Sequence, residues 1–155
     1  MQIVSDTSPL IILKKSGAMR IPEKLFDEVV IANEVRCELY RKEKDFFENV
    51  SFIKTAEVKN RDLVRVLATI VDAGEAEAIA LALEKMLPLL IDDFKGRRVA
   101  ESLEMKYIGT LGLLKIAKDR RIIREARPII ENFLEGGYYL DMRLIDKFLE
   151  DLGEI

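Results

Sequence analysis

Carboxylates are the residues with which this sequence could do chemistry. Asp92 and Asp93 stand side by side, directly after the apolar run Leu87-Pro88-Leu89-Leu90-Ile91 and directly before Phe94-Lys95-Gly96-Arg97-Arg98. Asp6 likewise ends the short run Gln2-Ile3-Val4-Ser5. A single Asp at a helix start is ordinarily a cap, favoured by the helix dipole. Two in succession cannot both cap one helix, so the second needs a cation, a basic side chain or water. Glu75 lies three residues after Asp72, the spacing of a capping box. At about 100° per residue, Glu75 also falls in line with the apolar Ile79, Ala82, Leu83 and Met86, whereas Glu77 falls with Glu84 on the face expected to be solvated. A carboxylate on the buried side requires a cation or strong donors. In an earlier helix Glu34 and Glu38 are one turn apart. The helix dipole explains the first and pairing with Lys42 explains the second, so spacing alone does not choose between them. Carboxylates gathered at one place repel one another and remain ionised together only when cations neutralise them. Mg²⁺ or Mn²⁺ suits such an all-oxygen set.

The composition removes most other chemistries. There is no histidine and a single cysteine, Cys37, among 155 residues. Ser-His-Asp and Cys-His catalysis, zinc sites built on histidine or several thiolates, and an intrachain disulfide are therefore excluded. One cysteine fits a reducing cytoplasm. Nothing near Met1 resembles a signal peptide, and no apolar run approaches the ~18 residues of a membrane span. The net charge of −3 and 34% charged residues do not mark a binder of bulk polyanions, while 49% hydrophobic residues provide for a core. Abundant Lys, Arg and Glu beside a single Gln matches a thermophile composition.

The elements that must position the acids follow from the pattern of the chain. Leu87–Ile91 is apolar at successive positions, as in a strand buried on both faces of a parallel sheet. Residues 2–5, 29–32 and 107–108 read the same way, and 52–54 as a small edge strand. Helices are expected at Pro9–Leu13, from Pro22 to about Phe26, at 34–42 with Asn33 as cap, at 43–49, 62–71, 74–86, 94–105, 113–119, 123–134 and 142–152. Alternating β and α units in one domain, residues 1–155, give a three-layer α/β/α sandwich with a parallel sheet of four or five strands. Strand ends and helix starts share one edge in such sheets, and Asp6, Asp92 and Asp93 fall on it.

At this point the residues resemble a family. Asp6-Thr7-Ser8-Pro9-Leu10-Ile11, Val35-x-x-Glu38-Leu39, Asp72-x-Gly74-Glu75-Ala76-Glu77-Ala78-Ile79, Asp92-Asp93-x-x-x-Arg97-x-x-Ala100 and Gly109-Thr110-x-Gly112 look like the PIN domain, in particular its VapC-like archaeal and bacterial branch. The motifs occur in the family's order over nearly the whole chain. The resemblance implies a Mg²⁺- or Mn²⁺-dependent endoribonuclease, often the toxin of a toxin–antitoxin pair. It carries the family's acids over to Asp6, Glu38, Glu75 and Asp93, with Asp92 as a neighbour and further metal ligand, and so prefers Glu38 to Glu34. Two positions depart from the family pattern: Glu75 stands where the common acid is Asp, and Ile91 where Thr is usual.

RNA requires phosphate contacts. Arg97 and Arg98 lie close to the acids in sequence, and Thr7 or Ser8 could position a water or a phosphate, although helix capping is the ordinary role of both hydroxyls. An antitoxin protein and a homodimer formed through Ile11, Ile12 and Leu13 are the partners expected. Two rival readings are a non-catalytic interaction module on the same fold and a receiver-type phosphoacceptor domain. The second would place its acid pair after the first strand and a Lys after the last, and this chain has neither.

Overall fold

The computed structural model describes residues 1–155. Five strands, β1 (Gln2–Ser5), β2 (Glu28–Ala32), β3 (Ile53–Ala56), β4 (Leu89–Leu90) and β5 (Tyr107–Ile108), form one all-parallel sheet in the order β3-β2-β1-β4-β5. Helices flank it as a three-layer α/β/α fold. The order matters for function. The chain leaves β1 on one side toward β2 and β3, then returns to the other side for β4 and β5. The crevice beyond the C-terminal ends of β1 and β4 is therefore the topological switch point, where ligands of open α/β sheets bind. Val4 pairs with Leu89 and Ser5 with Leu90, and the Asp6 N–H donates to the Leu90 carbonyl at 3.0 Å. This register brings Asp6 alongside the Asp92-Asp93 end of β4.

Nine helices complete the chain: α1 (Thr7–Lys15), α2 (Arg20–Leu25), α3 (Asn33–Lys42), α4 (Arg61–Leu67), α5 (Ala73–Lys85), α6 (Phe94–Ser102), α7 (Thr110–Asp119), α8 (Arg127–Glu135) and α9 (Met142–Asp151). The central one is α5, which packs on β1, β2 and β4 and on α3, α4 and α6. Its sequence, AGEAEAIALALEK, combines strong helix formers with small side chains that permit close approach on several sides. Every residue from Gly74 to Ala82 is buried. This overturns the expectation that Glu77 is solvated. An amphipathic stripe assigns one wet face, but α5 has neighbours on that face as well. Glu77 accepts from the Glu34 N–H at 3.1 Å and from Arg61 Nη1 at 2.9 Å, tying α3 and α4 to α5.

Several expected boundaries shift for local reasons. Asn33 is the first residue of α3 rather than its cap; Ala32 occupies the cap position without a side-chain bond, and Glu77 caps that end from a distance. Where a helix over 43–49 is expected, Glu43 ends α3 and residues 44–49 form turns, with Asn49 at positive φ, yet Phe46 is buried as expected. Pro128 in the first turn of α8 fixes its start there rather than at residue 123. Helices α4 and α6 end early, α6 just before Glu104 at positive φ. Ile12 and Leu13 belong to the buried core, with Ile11 packed against it, so α1 does not offer them as a dimer face. No helix is long and apolar enough to cross a membrane.

Candidate metal centre at the sheet edge

Helices α1, α5 and α6 all begin at the switch-point crevice, and each begins with an aspartate. Asp6 precedes α1, Asp72 precedes α5 and Asp93 precedes α6. The positive ends of these helix dipoles point at the same small volume. The three aspartates are used differently. Asp72 accepts from the Glu75 N–H at 2.8 Å, and Asp93 Oδ2 from the Gly96 N–H at 3.0 Å. Both therefore cap, as the bland reading of the sequence held, but each keeps an oxygen outside the cap. Asp6 makes no capping hydrogen bond and is 4% exposed.

Burial pushes the Asp6 carboxyl up from 3.8 to about 7; the Thr7 backbone N–H works against the rise, while the charges of Asp72, Glu38 and Asp93 add to it. Burial likewise pushes Glu75 up from 4.5 to about 9, reinforced by its hydrogen bond with Asp72 and by the charges of Asp72, Asp6 and Asp93. The mutual influence ties Asp6, Glu38, Asp72, Glu75 and Asp93 into one electrostatic cluster. A hypothetical Cβ on Gly96 would lie 3.3 Å from Glu75 Oε2, which puts Glu75 beside the turn that Asp93 caps.

Glu38 reaches the cluster and Glu34 does not. Thr7 Oγ1 donates to Glu38 Oε2 at 2.6 Å, holding it next to Asp6, whereas Glu34 pairs with Arg41 at 3.6 Å. Thr7 thus serves Glu38 rather than capping α1. Gly74 makes room for the arrangement: a Cβ there would overlap the Glu38 carboxylate, lying 2.8 Å from its Cδ. Ser8 is exposed on the first turn of α1.

Asp92 is placed apart from these acids. The Thr110 N–H donates to its Oδ1 at 2.7 Å, and the Thr110 and Tyr138 hydroxyls both donate to its Oδ2 at 2.5 Å. The Arg97 guanidinium and Asp92 both close over Gly109, where a Cβ would be 2.9 Å from Asp92 Oδ1 and 3.2 Å from an Arg97 amino nitrogen. Arg97 also lies over the Tyr107 ring at 5.3 Å. Burial, together with the Asp92 charge and hydrogen bond, raises the Tyr138 phenol. Successive residues leaving a strand point to opposite sides. Asp93 accordingly turns toward α5 while Asp92 ties β4 to the start of α7 and to the loop after α8. Arg98 lies over Phe94 at 5.6 Å on the exposed face of α6.

Asp72 joins the cluster although its spacing to Glu75 reads as a cap alone; its place in the Asp72-x-Gly74-Glu75 block is the signal for it. Tyr138 is 46 residues from Asp92, and no local pattern announces that contact.

The donor set fits a hard divalent cation. It is all oxygen, Gly74 forms the cradle that admits Glu38, and burial and like charge hold the Asp6 and Glu75 carboxyls above their ordinary range, a shift that a cation would oppose. No three acidic side chains stand preassembled as ligands. Glu38 is turned to Thr7, Glu75 to Asp72, and one oxygen each of Asp72 and Asp93 to a helix N-terminus.

A family model described as a PIN domain matches residues 2–154 of the chain. No curated protein matches it.

Proposed function

The chain belongs to the PIN-domain family, and on that premise we propose that it is a Mg²⁺- or Mn²⁺-dependent endoribonuclease acting at the β1–β4 crevice. PIN domains are generally nucleases, and those nucleases usually use divalent metals. The observation that carries the reading is the buried Asp6 at the β1–β4 sheet edge, its carboxyl pushed up to about 7 by burial and by the charges of Asp72, Glu38 and Asp93, with Glu75 beside the turn that Asp93 caps. A core or interaction surface has no use for such a cluster, which opposes folding unless something positive fills it.

In this reading Asp6, Glu38, Glu75 and Asp93 hold the cation, and Asp72 serves as cap and as proton partner of Glu75. When bound, a divalent cation supplies charge stabilisation for a phosphodiester under attack and lowers the pKa of water. The chain's own residues do the positioning. Thr7 fixes Glu38, the Gly96 N–H fixes Asp93, and the starts of α1, α5 and α6 oppose charge repulsion. Asp92 supports from behind by anchoring β4, α7 and Tyr138. Arg97 lies over the Tyr107 ring and borders Gly109 beside Asp92, on the Asp92 side of β4 rather than among the other acids. The toxin role and the antitoxin partner rest on the family resemblance.

The test is cleavage of a labelled single-stranded RNA by the parent and by Asp6→Asn, with Mg²⁺, Mn²⁺ or EDTA. Cutting that requires metal and disappears in Asp6→Asn supports the proposal. Equal cutting by both proteins, or cutting in EDTA, contradicts it. A parent that cuts nothing but binds a protein partner would favour the non-catalytic module.

A further inference from the structure

Resting on the nuclease reading, we propose that the groove between α1 and the α8–α9 loop carries the sugar–phosphate backbone of single-stranded nucleic acid to the acid cluster. The groove has a volume of about 240 Å³, and its lining includes Ser8, Ile11, Lys15, Lys42, Gly137 and Tyr138. One end abuts the cluster, since Ser8 follows Thr7, which holds Glu38. The other end is cationic. From Thr7 to Lys15, α1 rises about 12 Å, so a strand crossing the groove meets positive charge first and the acids next.

Both lysines are available to an anion. Lys42 was expected to pair with Glu38, but Glu38 is held by Thr7 and Lys42 forms no ion pair. Lys15 has only an exposed contact with Glu43 at 3.7 Å, the kind of surface pair that contributes little and exchanges readily. The loop amides cannot replace them: the N–H groups of Gly136, Gly137 and Tyr138 donate to Asn132, Leu134 and Phe133 carbonyls. The loop leaves space instead. Gly137 has φ +87, and a Cβ built there meets nothing within 4 Å. The next aromatic residue, Tyr139, is 91% exposed. Tyr139 follows Tyr138 of the lining directly in sequence, and an exposed ring there is available as a platform for an unpaired base. Of the two arginines near the acids, Arg97 lies over the Tyr107 ring beside Asp92, and Arg98 shares its open patch with Glu101.

The test is fluorescence anisotropy in EDTA with labelled oligouridylate of about eight nucleotides, within single-strand site sizes, and with the matching deoxyoligonucleotide. Lys15→Ala/Lys42→Ala should weaken binding and flatten the plot of log affinity against log salt by roughly 1.4, about 0.7 for each lost phosphate contact. Tyr139→Ala should weaken binding about fivefold or more without changing that slope. Arg98→Ala should change neither. Binding of either sugar supports a backbone groove. An unchanged slope in the double-lysine variant overturns the proposal. So does displacement of the probe by an oligoglutamate peptide of equal charge, which would assign the groove to an acidic protein. A metal-loaded parent that cuts RNA while the lysine variant binds like the parent removes the groove and leaves the nuclease. Lysine-dependent binding by a parent that never cuts removes the nuclease and leaves the groove.

Discussion

Asp6 and Glu75 are the residues at which folding and function pull apart. Both hold their protons more tightly in the folded chain than in the unfolded one. A raised folded-state pKa contributes stability that is complete below the unfolded value and lost as pH rises through the folded value. For Asp6 that window runs from 3.8 to about 7, and for Glu75 from 4.5 to about 9. The metal-free protein should therefore lose stability between about pH 4 and pH 9, by at most about 1.4 kcal/mol per pH unit for each group. Thermal melts across that range check the sign. Asp6→Asn should flatten the curve below about pH 7 and should raise the metal-free melting temperature at pH 8. A parent melting temperature that climbs from pH 5 to pH 8 without metal would show that these carboxyls are not held protonated. Asp92 obeys a different rule, because it accepts three hydrogen bonds in a half-buried setting. Tyr138→Phe removes one of them and should cost about 1 kcal/mol. Urea melts measure that loss, and the metal-free pH dependence should stay as in the parent.

At the scale of elements, the start of α5 decides whether the acids meet. Gly74 is buried on the first turn, where alanine would favour the helix but its Cβ would collide with the Glu38 carboxylate. The carboxylate is the far end of a flexible side chain, so it should swing away rather than unfold the protein. Gly74→Ala should leave the melting temperature of the metal-free protein within a few degrees of the parent while weakening Mn²⁺ binding severalfold. A large loss of stability would mean that Glu38 is wedged in place rather than presented. The neighbourhood of α5 also shows what a sequence can and cannot reveal. The Asp72-Ala73-Gly74 corner, the helix that follows it and the buried position of Glu75 were legible from capping and periodicity. The burial of Glu77 was not, since periodicity assumes one wet face and α5 is enclosed by α3, α4 and α6 as well as the sheet. The choice between Glu34 and Glu38 was equally invisible to spacing, because a hydroxyl 31 residues away makes it.

At the scale of the molecule, the strand order brings scattered acids to one edge of the sheet. Alternating β and α segments were enough to read a parallel α/β/α sandwich with Asp6 and the Asp92-Asp93 pair on one edge. The order β3-β2-β1-β4-β5 adds that β1 and β4 are neighbours, with the switch-point crevice between their ends. The separation of Asp92 from Asp93 arises at this scale too. The resemblance makes Asp92 a further metal ligand beside Asp93, but Asp92 instead ties the C-terminal third of the chain to the sheet through Thr110 and Tyr138. The central claim is that the edge was built around a divalent cation, and Asp93→Asn tests it most directly. Asn caps a helix about as well as Asp, so the bond to the Gly96 N–H and the stability of α6 should survive. What disappears is one unit of charge. Calorimetric titration with Mn²⁺ should give saturable binding to the parent and at least severalfold weaker binding to Asp93→Asn. Saturating Mn²⁺ should raise the parent's melting temperature and hardly move that of the variant, because stabilisation follows affinity. If Asp93→Asn binds Mn²⁺ as tightly as the parent, Asp93 is a cap alone and the edge is not the metal centre described here.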